Sequence, residues 1–409
     1  MDLLQGSIQP YTWGDPTAIP ELQGRTPSGG PEAELWLGAH PAAPSRLLGL
    51  DRTLDEAVAE DPAGFLGAPV RDRFGRFPFL LKVLAAAEPL SIQVHPSLAQ
   101  AKTGFEREER HGPAIDDPGR TYRDDNHKPE LICALTDFEA KCGFRNPAIT
   151  VALVEALATR PAAAGRMAEF AAALVEGSTD RECLTTTLEW MFELRPEAGA
   201  ELNRELLTST DELLADFGDD PTLARYVPEL QWLAELDRLH PGDVGVPVSL
   251  LLNHVRLAPG EGLFLPAGNL HAYLRGVGVE LMANSDNVIR GGLTVKHIDV
   301  AELLTVVDTT PMAAPVQSVS GPVHRFDTPV PEFALTRVVG AEIDIEPVGP
   351  EIILVTEGRA GLVVADGDSL ELEQGSSALL TPSDGPCRLS ADDGSVAWRA
   401  TVGDLSLSE

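Results

Sequence analysis

The stretch Pro89–Pro96 sets Ser91, Gln93 and His95 at alternate positions, with Leu90, Ile92 and Val94 between them. Alternate side chains of a strand share a face, so the three polar groups form one row. Such a row lines either solvent or a polar cavity, and two donors at i and i+2 on one face can reach a single metal ion. Glu130 follows a break at Pro129 and heads the apolar run Leu131–Leu135. A carboxylate at the head of a buried strand is costly unless a hard cation or a basic partner satisfies it. His271 comes just after the Pro266–Gly268 turn, in a setting of short strands. There it is well placed to point into the mouth of a β-barrel.

A second concentration of polar groups runs from Glu280 to Lys296. Glu280, Asp286, Arg290 and Lys296 sit among Leu281, Met282, Val288, Ile289, Leu293 and Val295, which suggest a segment inside a core. Charges in such a setting are costly unless paired or used. Ser285–Asn287 should turn the chain, because short polar side chains bond their own backbone. Gly291 and Gly292 let it bend or approach a ligand closely. The plain reading is a polar hairpin with one internal salt bridge; the chemical reading is that these charges have work at a site. Lys82 is a similar oddity inside the apolar run Phe77–Leu84. Snorkelling from a strand end is its simplest account.

These residues need a scaffold. Residues 1–40 read as strands and turns with aromatic clusters. Residues 51–76 read as helical, with a capping box from Thr53 to Glu56. Phe77–Leu84 is expected as a buried strand, and 102–126 as a charged, mobile loop. From Ile149 to Leu239 the apolar spacing is helical, and the segment has no polar constellation. Strand-like sequence returns over Val246–Leu257, and short β segments with Gly-rich turns fill the chain from about residue 320.

A chain of 409 residues suggests two to four domains, and 43% hydrophobic composition supports a sizeable core. The net charge of −32, from 31 basic and 63 acidic residues, argues against a nucleic-acid backbone or an anionic membrane as partner. An anionic substrate would need a local basic cluster. Four cysteines without a CxxC pair read as free thiols of a reducing compartment. No signal peptide or membrane span is apparent, so a soluble cytoplasmic protein is expected.

The blocks Tyr11–Gly14, Glu34–Gly38, Gln93–Pro96, Tyr122–Glu130, Leu265–Tyr273 and Ser285–Lys296 together carry a resemblance. The chain resembles the type I phosphomannose isomerases, zinc enzymes of the cupin superfamily. Val295 departs from the family, which often has Pro there, and Gly292 is a further local difference. The resemblance implies a mostly β fold of two cupin jelly-roll barrels with an α-helical insertion. The catalytic barrel would comprise residues 1–146 and 241–319, the insertion 147–240, and a metal-free C-terminal barrel 320–409.

The family's zinc ligands fall on Gln93, His95, Glu130 and His271, implying one Zn2+ per chain. The implied reaction interconverts mannose 6-phosphate and fructose 6-phosphate through a cis-enediol, a monomeric enzyme acting on a small sugar phosphate. Such chemistry needs a base, a stabiliser of oxyanion charge and a phosphate anchor. Glu280 is assigned as base, with His127 or Lys128 as alternatives. Arg290 corresponds to the family's essential arginine and would stabilise enediolate charge. Ser91, Lys82, Lys128 and Lys296 are candidates for phosphate and sugar contacts, and Asp286 and Tyr273 for sugar hydroxyls. Another aldose phosphate is an alternative substrate. A redox-iron oxygenase would want more histidines than His95 and His271. A decayed sugar-phosphate binder would not be expected to retain every one of these residues.

Overall fold

The computed structural model describes residues 1–160, 163, 165–216 and 224–407. The chain consists mainly of antiparallel sheets, with helices gathered over the middle third. An eleven-stranded sheet carries most residues singled out above. Its spine is the thirteen-residue strand His271–Ala283, which bends near Gly276. The register against Phe138–Phe144 shifts between Tyr273 and Arg275. Gly276 has φ +128°, and a Cβ there would lie 2.7 Å from the Asp137 carbonyl oxygen. Only glycine permits that approach. The first half of the spine pairs with Ile92–Val94 and Phe138–Phe144, and the second with Phe79–Ala86 and Glu130–Ala134. One bent strand therefore holds two groups of strands around a common polar interior.

Helices Pro147–Ala158, Gly165–Ala173, Asp180–Glu193, Pro196–Asp216 and Val227–Leu239 pack behind this sheet. Leu153, Phe170, Leu188, Leu206 and Leu233 share one apolar core with Ile92, Val94, Ile289 and Leu293. Burial of Ile92 and Val94 against the helices fixes which face of their strand is apolar, and so turns Gln93 the other way. A second, eight-stranded sheet is built from the last strands of the chain together with Asp2–Gln5, which pairs with both Ser377–Leu380 and Arg46–Leu47. A four-stranded sheet completes that part. No described helix is long and apolar enough to cross a membrane, and Cys133, Cys142, Cys183 and Cys387 are free.

Several sequence expectations need correction. The charged stretch expected as a loop from 102 begins inside a fourteen-residue helix, Leu98–His111, opened by a capping box from Ser97 to Gln100. Residues Gly245–Leu251 are short helical turns, and the strand starts only at Leu252. A short helix, Ala18–Leu22, interrupts the N-terminal strands. The expected capping box at Thr53 and Glu56 is present, but three short helices divide 51–76. Within the helical stretch, residues 161, 162, 164 and 217–223 lie outside the described residues. The Glu280–Lys296 segment is not a hairpin: Ile289–Gly292 pairs with Ile92–Val94. Val295 is fully exposed rather than in a core.

Candidate active site

Two cross-strand rows build the site. In the first, Arg290 stands opposite Gln93, and Gln93 opposite His271. In the second, Trp36 stands opposite Lys82, and Lys82 opposite Glu280. Residues directly opposite in antiparallel strands present side chains on the same face, so each row is a polar line across the sheet. Met282 on the spine faces Glu130 at the start of Glu130–Ala134, which also pairs with Leu265.

The first row leads to a compact donor set. His95, Glu130 and His271 are buried, and their ligand atoms lie within 4.8 Å of one another. Each imidazole Nε2 is 3.3 Å from a different Glu130 oxygen. His95 Nδ1 meets the Asn287 carbonyl at 2.7 Å, and His271 Nδ1 meets the Asn269 carbonyl at 2.9 Å. A carbonyl accepts only, so each Nδ1 carries the proton and each Nε2 presents a lone pair. Gln93 Nε2 lies 3.3 Å from His271 Nε2, and a turn of this amide would offer its oxygen instead. His95 Nε2 and Glu130 Oε2 are buried without a hydrogen-bond partner. Lone pairs converging on a carboxylate leave a place that a divalent cation would satisfy, so the residues fit a metal. Burial alone would raise the Glu130 carboxyl, but Lys128, 2.9 Å away, together with His95 and His271, drives it well below the usual range. Burial, aided by Lys128, pushes His95 down to about 4. Both groups are thus in the ligand form at neutral pH.

The second row is an ion network. Lys82 Nζ lies 3.0 Å from Glu280 Oε2 and 3.5 Å from Glu34 Oε1. Glu34 also accepts from Trp36 Nε1 at 2.6 Å, and the Lys82 ammonium sits over the Trp36 ring at 5.4 Å. Burial opposes the charge on Lys82, yet Glu280, Glu34 and Glu130 hold its pKa above the ordinary value. Burial raises the Glu280 carboxyl in spite of Lys82. The Tyr273 hydroxyl is buried without a hydrogen-bond partner. Burial and the nearby Glu280 charge push its ionisation well up. Lys82 is paired with two carboxylates rather than snorkelling.

The remaining candidates lie at the rim. Asp286 meets His40 at 3.3 Å, and its backbone N–H donates to Asp124. Ser91 is half-buried at the entry of Ile92–Val94. Arg290 is half-buried and Lys296 exposed. Among the described residues neither has a carboxylate ion partner. Burial lowers the pKa of both; the positive charge of Arg123 lowers Arg290 further, and those of Arg290 and Arg123 lower Lys296 further. Arg123 in turn donates to the Ile115 and Asp117 carbonyls.

Sequence reading missed Arg123, Glu34, and the carbonyls of Asn287 and Asn269. Arg123 sits within the quoted Tyr122–Glu130 block, so its charge was a usable signal. The two carbonyls carry no sequence signal at all. Asn287 is also the knot of the site loop: its side chain bonds the backbone of Arg123, Asp124 and Asn126.

A family model described as the catalytic domain of type I phosphomannose isomerase matches residues 1–147. The mannose-6-phosphate isomerase of Salmonella typhimurium is 37% identical over 402 residues, covering 95% of this chain and 97% of that protein. That of Escherichia coli is 37% identical over 398 residues, covering 94% and 96%. A crystal structure of mannose 6-phosphate isomerase bound with zinc and yttrium matches with a TM-score of 0.86 at 35% identity, over 98% of this chain and 99% of that one. Likeness along nearly the whole length, in sequence and in fold, coincides with a buried donor set beside an acid–lysine row, and the chain belongs to the type I phosphomannose isomerases.

Proposed function

We propose that the chain interconverts mannose 6-phosphate and fructose 6-phosphate through a cis-enediol, with one Zn2+ held by Gln93, His95, Glu130 and His271. The observation that carries this reading is the convergence of His95 Nε2, His271 Nε2 and the Glu130 carboxylate. The zinc-bound relative supports the choice of metal. When bound, zinc supplies a Lewis acid that polarises the carbonyl and hydroxyl oxygens of the substrate.

Glu280 takes the proton from C2 and returns it at C1. Burial raises its carboxyl above the ordinary range, which makes the carboxylate a stronger acceptor for a carbon-bound proton, and Lys82 holds the carboxylate in place. Of the rival bases, His127 Nε2 is 2.7 Å from Glu332, and Lys128 is paired with the metal donor Glu130. Arg290, in the row with Gln93 and His271, stabilises enediolate charge. Arg123 and Lys296, with Ser91, anchor the phosphate. They supply the cationic patch that a chain of net charge −32 must build locally. Lys82, Tyr273 and Asp286 face the sugar hydroxyls.

In this reading the two β assemblies are cupin barrels and the helices over 147–240 an insertion between 1–146 and 241–319, followed by 320–409. Asp2–Gln5, inside the range 1–146, pairs with Ser377–Leu380 as well as with Arg46–Leu47. A monomer is part of the same reading, and the free cysteines suit the cytoplasm.

A coupled assay on mannose 6-phosphate, run before and after chelation and after zinc is returned, tests the proposal. Activity lost with chelation and restored by zinc at one ion per chain is expected. Tight zinc binding without turnover of mannose 6-phosphate would move the assignment to another aldose phosphate.

A further inference from the structure

Glu332 lies in the segment that leads into the C-terminal sheet, far in sequence from every site residue. It is buried, and its Oε1 lies 2.7 Å from His127 Nε2, across 205 residues of chain. Its Oε2 is buried without a hydrogen-bond partner, so the carboxylate is committed to this one contact. Its own place is fixed. Phe333 beside it is fully buried, the Pro331 carbonyl accepts from Gly403 N–H at 3.0 Å, and Ala334 begins a strand opposite Thr401.

At the other end of the bond is the approach to Lys128. The Asn126 carbonyl is held by Asn287 and Ser285, and the Pro129 carbonyl by Ala283 N–H. Between these points, among the described residues, the His127 and Lys128 peptides make no backbone–backbone hydrogen bond. The His127 side chain is therefore the anchor of this short span, and the Lys128 ammonium it carries reaches Glu130 at 2.9 Å.

We propose that Glu332 is a positioning residue for the isomerase reaction: through His127 it fixes the span that sets Lys128 against Glu130. The C-terminal part, which supplies none of the donors, would then be needed for turnover. This rests on the proposed isomerase reading, in which Lys128 holds the metal donor Glu130 in place through their 2.9 Å ion pair.

The test is a cycle of Glu332→Ala, Lys128→Ala and the double variant in the zinc-loaded full chain, with Glu332→Gln as the conservative change. Glu332→Ala should lower kcat at least tenfold while leaving KM for mannose 6-phosphate within twofold. Glu332→Gln, which keeps an acceptor for His127, should recover most of the loss. The double variant should be no slower than Lys128→Ala alone. His127 is only partly buried and can bond water once the carboxylate is gone, so the variant is expected to fold; Glu332→Met, of similar volume, replaces it otherwise. A kcat for Glu332→Ala or Glu332→Met within twofold of the parent, or losses that multiply in the double variant, would overturn the proposal. Should Lys128→Ala itself keep full activity, it is the role of Lys128 that fails, and the tether to it with it.

Discussion

Lys82 and Glu280 stand directly opposite one another on neighbouring strands, with Lys82 Nζ 3.0 Å from Glu280 Oε2 and both side chains buried. The pair joins a carboxylate raised by burial to a cation held above its ordinary pKa by three carboxylates. Removing one partner leaves the other buried and uncompensated.

Lys82→Met is therefore expected to destabilise the fold by about 3–5 kcal/mol. Denaturant unfolding at neutral pH measures this. A change below about 1 kcal/mol, the size typical of an exposed pair, would show that the pair is solvated in solution.

Glu280→Gln keeps shape and removes the base. Turnover should fall by roughly 100- to 10,000-fold, and solvent isotope exchange at C2 should vanish with bound zinc unchanged. Exchange that persists in Glu280→Gln and disappears in His127→Ala or Lys128→Ala would reassign the base.

His271→Ala removes a donor outright. Zinc affinity, followed by competition with a chromophoric chelator, should fall by more than the roughly 10- to 100-fold brought by losing a supporting hydrogen bond to a ligand. Unaltered affinity would exclude His271 from the donor set.

Arg123→Ala and Arg290→Ala each remove a cation that has no carboxylate ion partner among the described residues. A hydrogen bond to a charged group is worth roughly 1.5–3 kcal/mol, so KM for mannose 6-phosphate should rise about 10- to 100-fold for Arg123→Ala. Arg290→Ala should also depress kcat, because its charge acts on the enediolate. An unchanged KM in Arg123→Ala would place the phosphate elsewhere.

His254 gives a pH signature of its own. It is packed against Lys141, Glu229 and Glu139, and burial, with Lys141, pushes its pKa down to about 4. The unfolded chain takes up this proton first, near pH ~6.5. The contribution of neutral His254 is complete above that pH and is lost as pH falls toward about 4, by at most about 3 kcal/mol. His254→Gln should flatten this part of the stability curve measured by denaturant unfolding between neutral and mildly acidic pH. An unchanged slope would mean that His254 is solvated.

Local order was the easier part to read. The Thr53–Glu56 capping box and the buried Phe77–Leu84 run depend on neighbours in sequence, and both stand in the structure. The Ser97–Gln100 box was equally local, but the charge of 102–126 hid it; charged residues on the exposed side of a helix look the same as those of a loop. Val246–Leu257 misled for a different reason. A short apolar run carries no periodicity that separates a buried helical turn from a strand, and the packing of Val246, Val248 and Leu250 into the helical core decided it.

By itself the sequence determined the side chains able to do chemistry and the face each would share on its own strand. Ser91, Gln93 and His95 alternate whatever the fold, because a strand has a period of two. It could not determine what stands across from them. Pairing between strands 178 residues apart, as for Gln93 and His271, is set by which apolar faces bury together, and only the folded chain settles that. The same holds for the two carbonyls that fix the histidine tautomers, for the three cations gathered at the rim, and for Glu332 at His127. Backbone acceptors are present at every residue, and long-range charge contacts leave no periodic trace. Tertiary packing alone selects among them.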